Sequence, residues 1–225
     1  MEAHTLAAEV PLAEPAVGRV SACAGRVLDI TLAVLGLLVL TPLVALIALA
    51  IRLDSTGPVI FRQRRLGRDL RPFTVLKFRT MRSGADSSPH REYVRSLIDS
   101  DAGEAHGGLY KLVVDDRVTR VGRRLRDWSL DEIPQLWNVI RGEMSLVGPR
   151  PVVPYEVEHY PERYLQRFVV KPGLTGLWQV SGRNERSYDE MIRFDIEYAQ
   201  QRTLVLDVVI LMKTVWVVLR RKGVA

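Results

Sequence analysis

Two adjacent carboxylates, Asp131 and Glu132, begin the stretch DEIPQLWNVI and are followed by the loop GEMSLVGPRP. Because proline is tolerated only in the first turn of a helix, Pro134 predicts that both carboxylates lie at a helix start, where the dipole keeps them ionised. An ionised aspartate can attack a phosphoryl group and form an acyl phosphate if cations neutralise the crowded negative charge. Nearby cations are Arg126, Arg141 and Arg150.

A purely structural role also explains the pair. Ser129 stands three residues before Glu132, which is the capping-box pattern of a serine that caps a helix and a glutamate that reaches back. The same Ser-x-Asp-Glu pattern recurs at Ser187–Glu190, ahead of another predicted helix. Taken alone, the pattern favours capping. The chemical alternative predicts Mg²⁺, which binds one or two carboxylates together with substrate phosphates.

The composition limits the classes of binding partner but does not identify one. The chain has 225 residues, room for one domain plus an appendage, and 32 Lys+Arg against 26 Asp+Glu give a net charge of +6. That charge favours nucleic acid, an anionic lipid surface or phosphorylated substrates. The single cysteine, Cys23, excludes an internal disulfide and a cysteine zinc cluster, and indicates a reducing compartment.

An uncharged apolar segment runs from Ile30 to Ile51 and is long enough to cross a bilayer. Basic residues flank both ends, more strongly after the segment, which predicts that most of the chain is cytoplasmic. Thr41-Pro42 interrupts the segment, because proline removes a backbone donor and kinks a helix. A bitopic span with a tolerated proline and a re-entrant hairpin both remain open from these features.

A second membrane contact is predicted in LVLDVVILMKTVWVVLRRKG, near the C-terminus. Asp207, Thr214 and Arg221 recur at a spacing of seven and define one narrow polar stripe on a helix. An amphipathic helix in the membrane interface, with Trp216 at headgroup level, fits this pattern. A helix buried in the core of the domain fits it equally well.

The soluble part is predicted to be a loop-rich α+β domain. GPVIFRQRRLG and RPFTVLKFRTMR are β-rich runs joined by a hairpin turn at Gly67-Arg68-Asp69. We divide the chain into an N-terminal extension, a membrane helix and a compact catalytic domain, at residues 1–25, 26–52 and 53–225. Helical patterns are predicted at Asp131–Ile140, Val157–Val169 and Tyr188–Gln201.

Three stretches in this order, KFRTMR, SLDEIPQLWNVIRGEMSLVGPRP and KPGLTGLWQVSGRN, resemble the bacterial sugar transferase family, the monotopic phosphoglycosyl transferases of glycan assembly. The resemblance covers about residues 24 to 222. It implies transfer of a sugar-1-phosphate from a nucleoside-diphosphate sugar, such as a UDP-hexose, to a polyprenyl phosphate such as undecaprenyl phosphate. It also implies a protein of the bacterial inner membrane with its catalytic domain on the cytoplasmic face.

The resemblance implies roles for individual residues. Asp131 is the expected nucleophile that carries a covalent phosphosugar, Glu132 is its partner acid, and both are expected to hold Mg²⁺. The membrane helix is expected to break at Thr41-Pro42 and to enter and leave on one face. The expected contacts to substrate phosphates are Lys77, Arg79, Arg126, Arg150 and Arg183. A homo-oligomer is left open.

Two other functions compete with this one. A membrane-attached glycosyltransferase of another class would use Asp115-Asp116 as metal-diphosphate ligands and release a nucleoside diphosphate. A non-enzymatic adaptor or nucleic-acid binder would use the net positive charge, but the sequence has no recognisable groove-reading helix or aromatic stacking platform. We therefore predict no nucleic-acid partner, and we assign no role to residues 83–114.

Overall fold

The computed structural model describes residues 19–82, 84, 92, 117–182 and 187–220. Its fold is α+β, as predicted, and mostly helical. The helices are α1 (Arg19–Asp54), α2 (Arg120–Asp127), α3 (Gln135–Arg141), α4 (Pro154–Val157), α5 (Leu177–Val180), α6 (Tyr188–Gln201) and α7 (Leu204–Arg220). The strands are β1 (Ile60–Leu66), β2 (Pro72–Phe78), β3 (Ser145–Val147) and β4 (Gly173–Thr175). Three 3₁₀ segments span Arg68–Leu70, Leu130–Glu132 and Glu162–Val169.

Helix α1 contains the predicted membrane segment and is 36 residues long. Residues Ser21–Asp54 are long and apolar enough to cross a membrane, and an 18-residue window within them has a mean hydropathy of 2.8. The helix continues through Thr41 and Pro42, so a break into two helices is not observed. Proline removes only one intrahelical hydrogen bond, and the Thr41 hydroxyl donates to the carbonyl of Leu37 at 2.8 Å. Re-entry into the membrane stays a prediction.

One face of α1 packs on the rest of the protein along the whole helix. Its buried residues include Asp29 and Ala33 towards one end and Ile47 and Ile51 towards the other, each pair one helical turn apart. Between them, residues that are partly buried pack on the core, namely Leu37, Leu40, Leu43 and Val44. The buried apolar ones join the main core together with residues of β2, α3, β3, α6 and α7. The other face exposes large apolar side chains, among them Leu32, Leu35, Leu38, Val39, Leu46 and Leu49.

The predicted hairpin is confirmed. Strands β1 and β2 pair antiparallel from Ile60 opposite Phe78 to Leu66 opposite Pro72. The amide of Gly67 donates to the carbonyl of Arg71 at 2.9 Å and closes the turn. A second sheet, not predicted, pairs the short strands β3 and β4 in parallel.

Prolines account for two differences from the predicted helices. Helix α3 begins at Gln135, four residues later than predicted, with Pro134 as its N-cap residue. The predicted helix Val157–Val169 is divided at Pro161, whose extended conformation precedes a 3₁₀ segment. The third predicted helix, Tyr188–Gln201, is confirmed as α6.

Helix α7 turns Asp207 and Thr214 towards the protein, and most of its exposed residues are apolar. Buried Asp207 accepts a hydrogen bond from the Tyr198 hydroxyl at 2.6 Å, and the hydroxyls of Thr214 and Thr175 lie 2.8 Å apart. Arg221, the third residue of the predicted stripe, lies outside the described residues. The exposed face contains the charged Lys213 and the apolar residues Val205, Val208, Val209, Met212, Val215 and Trp216. This arrangement is the reverse of a water-facing helix and excludes a helix wholly buried in the core.

Candidate active site

We expected the carboxylate pair inside the first turn of a helix. It lies instead just before helix α3. Asp131 and Glu132 belong to the 3₁₀ segment Leu130–Glu132, and α3 begins at Gln135. Ser129 precedes the pair in the left-handed conformation, with φ 54° and ψ 22°. A non-glycine residue with positive φ is uncommon, and such local strain is concentrated at functional sites.

The capping box predicted for Ser129 and Glu132 is not formed. The Ser129 side chain makes no capping hydrogen bond in the part of the chain that the structure describes. A capping serine normally has extended backbone, which left-handed Ser129 lacks. Helix capping therefore does not explain why these two carboxylates are here.

Glu132 is instead paired with two cations from distant parts of the chain. Its Oε1 lies 2.8 Å from the Lys77 Nζ on β2 and 3.5 Å from the Arg150 Nη1 in the loop after β3. The pKa of the Lys77 ammonium is lowered, chiefly because the group is buried. The charge of Arg150 also lowers this pKa, whereas the charges of Glu132 and Asp131 raise it. Lys77 is therefore within electrostatic range of both carboxylates.

Asn138 fixes the strand that carries Lys77. This fully buried residue of α3 accepts from the amide of Leu76 at 3.1 Å and donates to the carbonyl of Thr74 at 2.7 Å. Its Nδ2 also lies 2.7 Å from an oxygen of Glu143. Sequence reasoning missed Asn138; a polar residue inside the apolar run LWNVI was the available signal.

Two glycine-proline loops come into backbone contact beside the pair. The amide of Gly173 donates to the carbonyl of Pro149 at 2.8 Å, and that of Gly148 donates to the carbonyl of Thr175 at 2.9 Å. A Cβ atom on Gly173 would lie 2.1 Å from the Gly148 nitrogen, and one on Gly148 would lie 2.4 Å from the Lys171 oxygen. Only glycine allows this approach, which places the loop with Arg150 next to β4.

Two arginines donate hydrogen bonds to the backbone of the same loop. Arg167 donates to the carbonyl of Arg150 at 2.9 Å, and Arg65 donates to the carbonyl of Pro151 at 2.8 Å. Arg167 also forms a buried ion pair with Asp195. Burial raises the pKa of the Asp195 carboxyl to about 6, although the charge of Arg167 opposes the shift. The sequence offered no local signal for this pair.

The side chains converge on a small cavity whose polar lining is mainly cationic. Arg65, Lys77 and Arg150 face one carboxylate, Glu132. The remaining lining residues are Val75, Gln135, Pro151, Gly173 and Leu174. Fixed cations in a partly enclosed site favour an anionic ligand, and a phosphoryl group suits arginine and lysine donors.

The other predicted site residues are more scattered. Arg126 donates from Nε to the hydroxyl of Thr80 at 3.0 Å. Buried Arg79 donates to the carbonyl of Ser55 at 2.6 Å, just after the end of α1, and its Nε and Nη1 are buried without a hydrogen-bond partner among the described residues. Substrate contact by either arginine stays a prediction. Arg183 and Asp115-Asp116 lie outside the described residues.

The donor atoms available for Mg²⁺ are few. Among residues 19–82, 117–182 and 187–220, no group of three or more His, Cys, Asp or Glu is arranged to hold a metal. Magnesium sites that share substrate phosphates need only one or two protein carboxylates. Asp131 and Glu132 fit that smaller requirement, so they are the residues that would hold the ion.

Comparisons with known proteins identify the family of this chain. A family model described as bacterial sugar transferase matches residues 20–221. The chain is 42% identical to the exopolysaccharide production protein ExoY of Rhizobium meliloti over 227 residues, 99% of either chain. It is 44% identical to the UDP-glucose:undecaprenyl-phosphate glucose-1-phosphate transferase of Caulobacter vibrioides, with 84% of this chain and 67% of that protein aligned.

Some relatives are longer. The undecaprenyl-phosphate galactose phosphotransferase of Salmonella typhimurium is 42% identical over 200 residues. That alignment includes 88% of this chain but only 41% of the relative. The chain therefore spans less than half the length of this second group.

Proposed function

Because this chain belongs to the bacterial sugar transferase family, we propose that it transfers a sugar-1-phosphate from a UDP-hexose to undecaprenyl phosphate. The products are undecaprenyl-diphosphate-sugar and UMP, and the reaction starts a lipid-linked glycan for exopolysaccharide or capsule. The names of relatives include both glucose and galactose transferases, so the hexose is not specified. The observation that carries the proposal is the Lys77–Glu132–Arg150 cluster immediately beside Asp131.

We assign the nucleophile to Asp131. Its carboxylate oxygen attacks the sugar-bearing phosphorus, a new O–P bond forms, and the bond from that phosphorus to the bridging oxygen breaks to release UMP. An oxygen of undecaprenyl phosphate then attacks the same phosphorus and frees the Asp131 carboxylate. Each phosphorus–oxygen bond that breaks is replaced by another, and no oxidant or reductant is needed.

Glu132 is less suited to the attack. One of its oxygens already lies within ion-pair distance of Lys77 and Arg150, which reduces the nucleophilicity of a carboxylate. In the proposed mechanism it positions these two cations. Their charge offsets the repulsion between the Asp131 carboxylate and the incoming diphosphate. Bound Mg²⁺ would supply further neutralisation of the phosphate charge.

The contacts at the two ends of α1 support re-entry into the membrane. Near its start, Arg26 donates to two carbonyls at the end of α3, at 2.6 and 2.8 Å. At its other end, Asp54 accepts from the amide of Val121 in α2 at 3.1 Å. A helix that crossed a hydrocarbon core of about 30 Å would place its ends on opposite faces. One domain could not then bond both ends.

The exposed apolar faces indicate which side meets lipid. Helices α1 and α7 both direct large apolar side chains outward, and Trp137, Trp128 and Trp216 are also exposed. Exposed apolar surface of this kind is typical of a membrane contact, and tryptophans favour the interface. We infer that the domain rests on the cytoplasmic face of the inner membrane, with α1 dipping into the bilayer.

The proposal is tested by incubating the full chain in detergent with Mg²⁺, undecaprenyl phosphate and either UDP-glucose or UDP-galactose. The released nucleotide is identified by chromatography. UMP that appears only with the lipid acceptor is the expected result. UDP would indicate a glycosyltransferase of another class, and no nucleotide release with either donor would contradict the proposal.

A further inference from the structure

Gln135 is a buried polar side chain that lines the cavity. It is the first residue of α3, is 3% exposed, and shares the cavity wall with Lys77, Glu132 and Arg150. Its carboxamide makes no hydrogen bond or ion pair with any other residue that the structure describes. A carboxamide can offer two N–H donors and an acceptor oxygen, so this capacity is unused within the described part of the chain.

Asn138 provides a direct contrast on the same helix. It is also a buried carboxamide, one turn further along, but it bonds Leu76, Thr74 and Glu143. Asn138 therefore has a structural role. Burial of an amide without a partner destabilises a fold, whereas an apolar side chain of similar size would not. The folded structure alone does not explain a glutamine at position 135.

The charges around Gln135 identify the kind of ligand that it would meet. Three cations, Arg65, Lys77 and Arg150, line the cavity against one carboxylate. A phosphate oxygen is an acceptor, and an amide N–H can bond it without adding charge. A carboxylate at this position would repel the phosphate, and a fourth cation would compete with Lys77 for Glu132.

We propose that Gln135 donates an N–H to a non-bridging oxygen of the donor's diphosphate and thereby binds the group that is transferred. This inference rests on the proposed function, because it takes the diphosphate of a UDP-sugar as the ligand. It assigns Gln135 a binding role separate from the nucleophile Asp131. The contact is made to the diphosphate and not to the sugar.

The test measures binding of three probes, UDP, UDP-glucose and uridine, to the full chain in detergent with Mg²⁺. Gln135→Met keeps the length of the side chain and removes the hydrogen bond. The expected result is weaker binding of UDP and UDP-glucose by the same factor, about tenfold, with uridine binding unchanged. Thermal stability should be little changed, because the Gln135 carboxamide bonds no residue that the structure describes.

Two further variants sharpen the test. Gln135→Glu keeps the shape, adds a negative charge, and should weaken UDP more than Gln135→Met does. Gln179→Met is the matched control: Gln179 is also buried, but it donates to the carbonyl of Leu174 at 3.4 Å and is not among the cavity-lining residues. It should leave UDP affinity unchanged.

Distinct results would overturn the inference. Unchanged UDP affinity in Gln135→Met would exclude a diphosphate contact, and weakening confined to UDP-glucose would assign Gln135 to the sugar instead. A large fall in melting temperature would indicate a structural residue. In each case UMP release by the unaltered chain would continue, whereas a chain that neither binds UDP nor releases UMP would contradict the proposed function and this inference together.

Discussion

Two segments of this protein, Ser129–Glu132 and Ser187–Glu190, share the Ser-x-Asp-Glu pattern but differ in structure. At the second, Ser187 is extended, its hydroxyl accepts from the Glu190 amide at 3.2 Å, and Glu190 accepts from the Ser187 amide at 2.9 Å. This is a complete capping box. At the first, Ser129 is left-handed and Glu132 pairs with Lys77 and Arg150.

Proline explains the difference. If Ser129 capped an α-helix, Pro134 would occupy its fifth position, where it could not donate to the carbonyl of Leu130 and would clash with it. The second segment has Ile192 at the corresponding position, and α6 starts directly after its serine. A capping-box pattern therefore predicts a cap only if the next turn can also be helical. Where it cannot, the glutamate of the pattern can pair elsewhere, as Glu132 does with Lys77 and Arg150.

The largest expected difference between the two segments concerns their aspartates. Asp131→Asn should reduce UMP release by about a thousandfold or more, because an amide cannot act as the nucleophile. Asp189→Asn should change it less than threefold, because Asp189 pairs with Arg193 and accepts from the Tyr164 hydroxyl, and it does not line the cavity. Initial rates of both variants, with circular dichroism to confirm folding, provide the measurement. Retained activity in Asp131→Asn would exclude the covalent route.

Substitution of Glu132 should lower activity with little effect on stability, whereas substitution of Glu190 should leave activity unchanged. Glu132→Gln removes the charge between Lys77 and Arg150, so we expect about a hundredfold loss of kcat/KM with little change in melting temperature. Glu190→Gln should retain activity, because glutamine can still complete a capping box. Equal losses of activity in the two variants would remove the distinction between the segments.

Pro134→Ala tests whether the proline causes the structural difference between the two segments. Without the proline, a helix could start at Ser129, and Glu132 could turn back to the Ser129 amide and leave Lys77. We expect about a tenfold lower activity together with unchanged or higher stability. A crystal structure of the variant would check whether the capping box forms. Full activity in that variant, with the box formed, would contradict the role given to Glu132.

The smallest effects are expected at the serines. Ser187→Ala should lower stability by about 1 kcal/mol, which corresponds to about 2–4 °C in melting temperature for a chain of this size. Ser129→Ala should remove no cap, whereas Ser129→Gly should be neutral or stabilising because glycine readily adopts positive φ. Thermal unfolding in detergent measures all three. A similar loss in Ser129→Ala and Ser187→Ala would indicate that both serines are caps.

Features encoded by local pattern were predicted correctly. The apolar run of α1, the hairpin with its glycine turn and helix α6 each follow from residues close together in sequence. The resemblance also named Lys77, Glu132 and Arg150, and the structure brings these three together. The nucleophilic role of Asp131 and the binding of Mg²⁺ remain predictions.

Features that depend on distant contacts could not be predicted. Asn138 and Leu76 are 62 residues apart, and Arg167 and Asp195 are 28 apart, with no periodicity that connects them. The parallel pairing of β3 with β4 arises from close contact of two glycine loops and not from strand propensity. Gln135 is noticeable only because cations lie near it in space and its own amide bonds no residue that the structure describes.

The contact between Arg26 and helix α3 has a consequence for biosynthesis. Arg26 and the first carbonyl that it binds are 113 residues apart, so at about 5–20 residues per second the carbonyl is synthesised roughly 6–23 s later. During that interval the apolar helix emerges from the ribosome without its protein partner. A membrane or a chaperone must therefore shield it first. The catalytic domain would then fold onto a helix already delivered to its lipid, so that targeting precedes assembly of the active site.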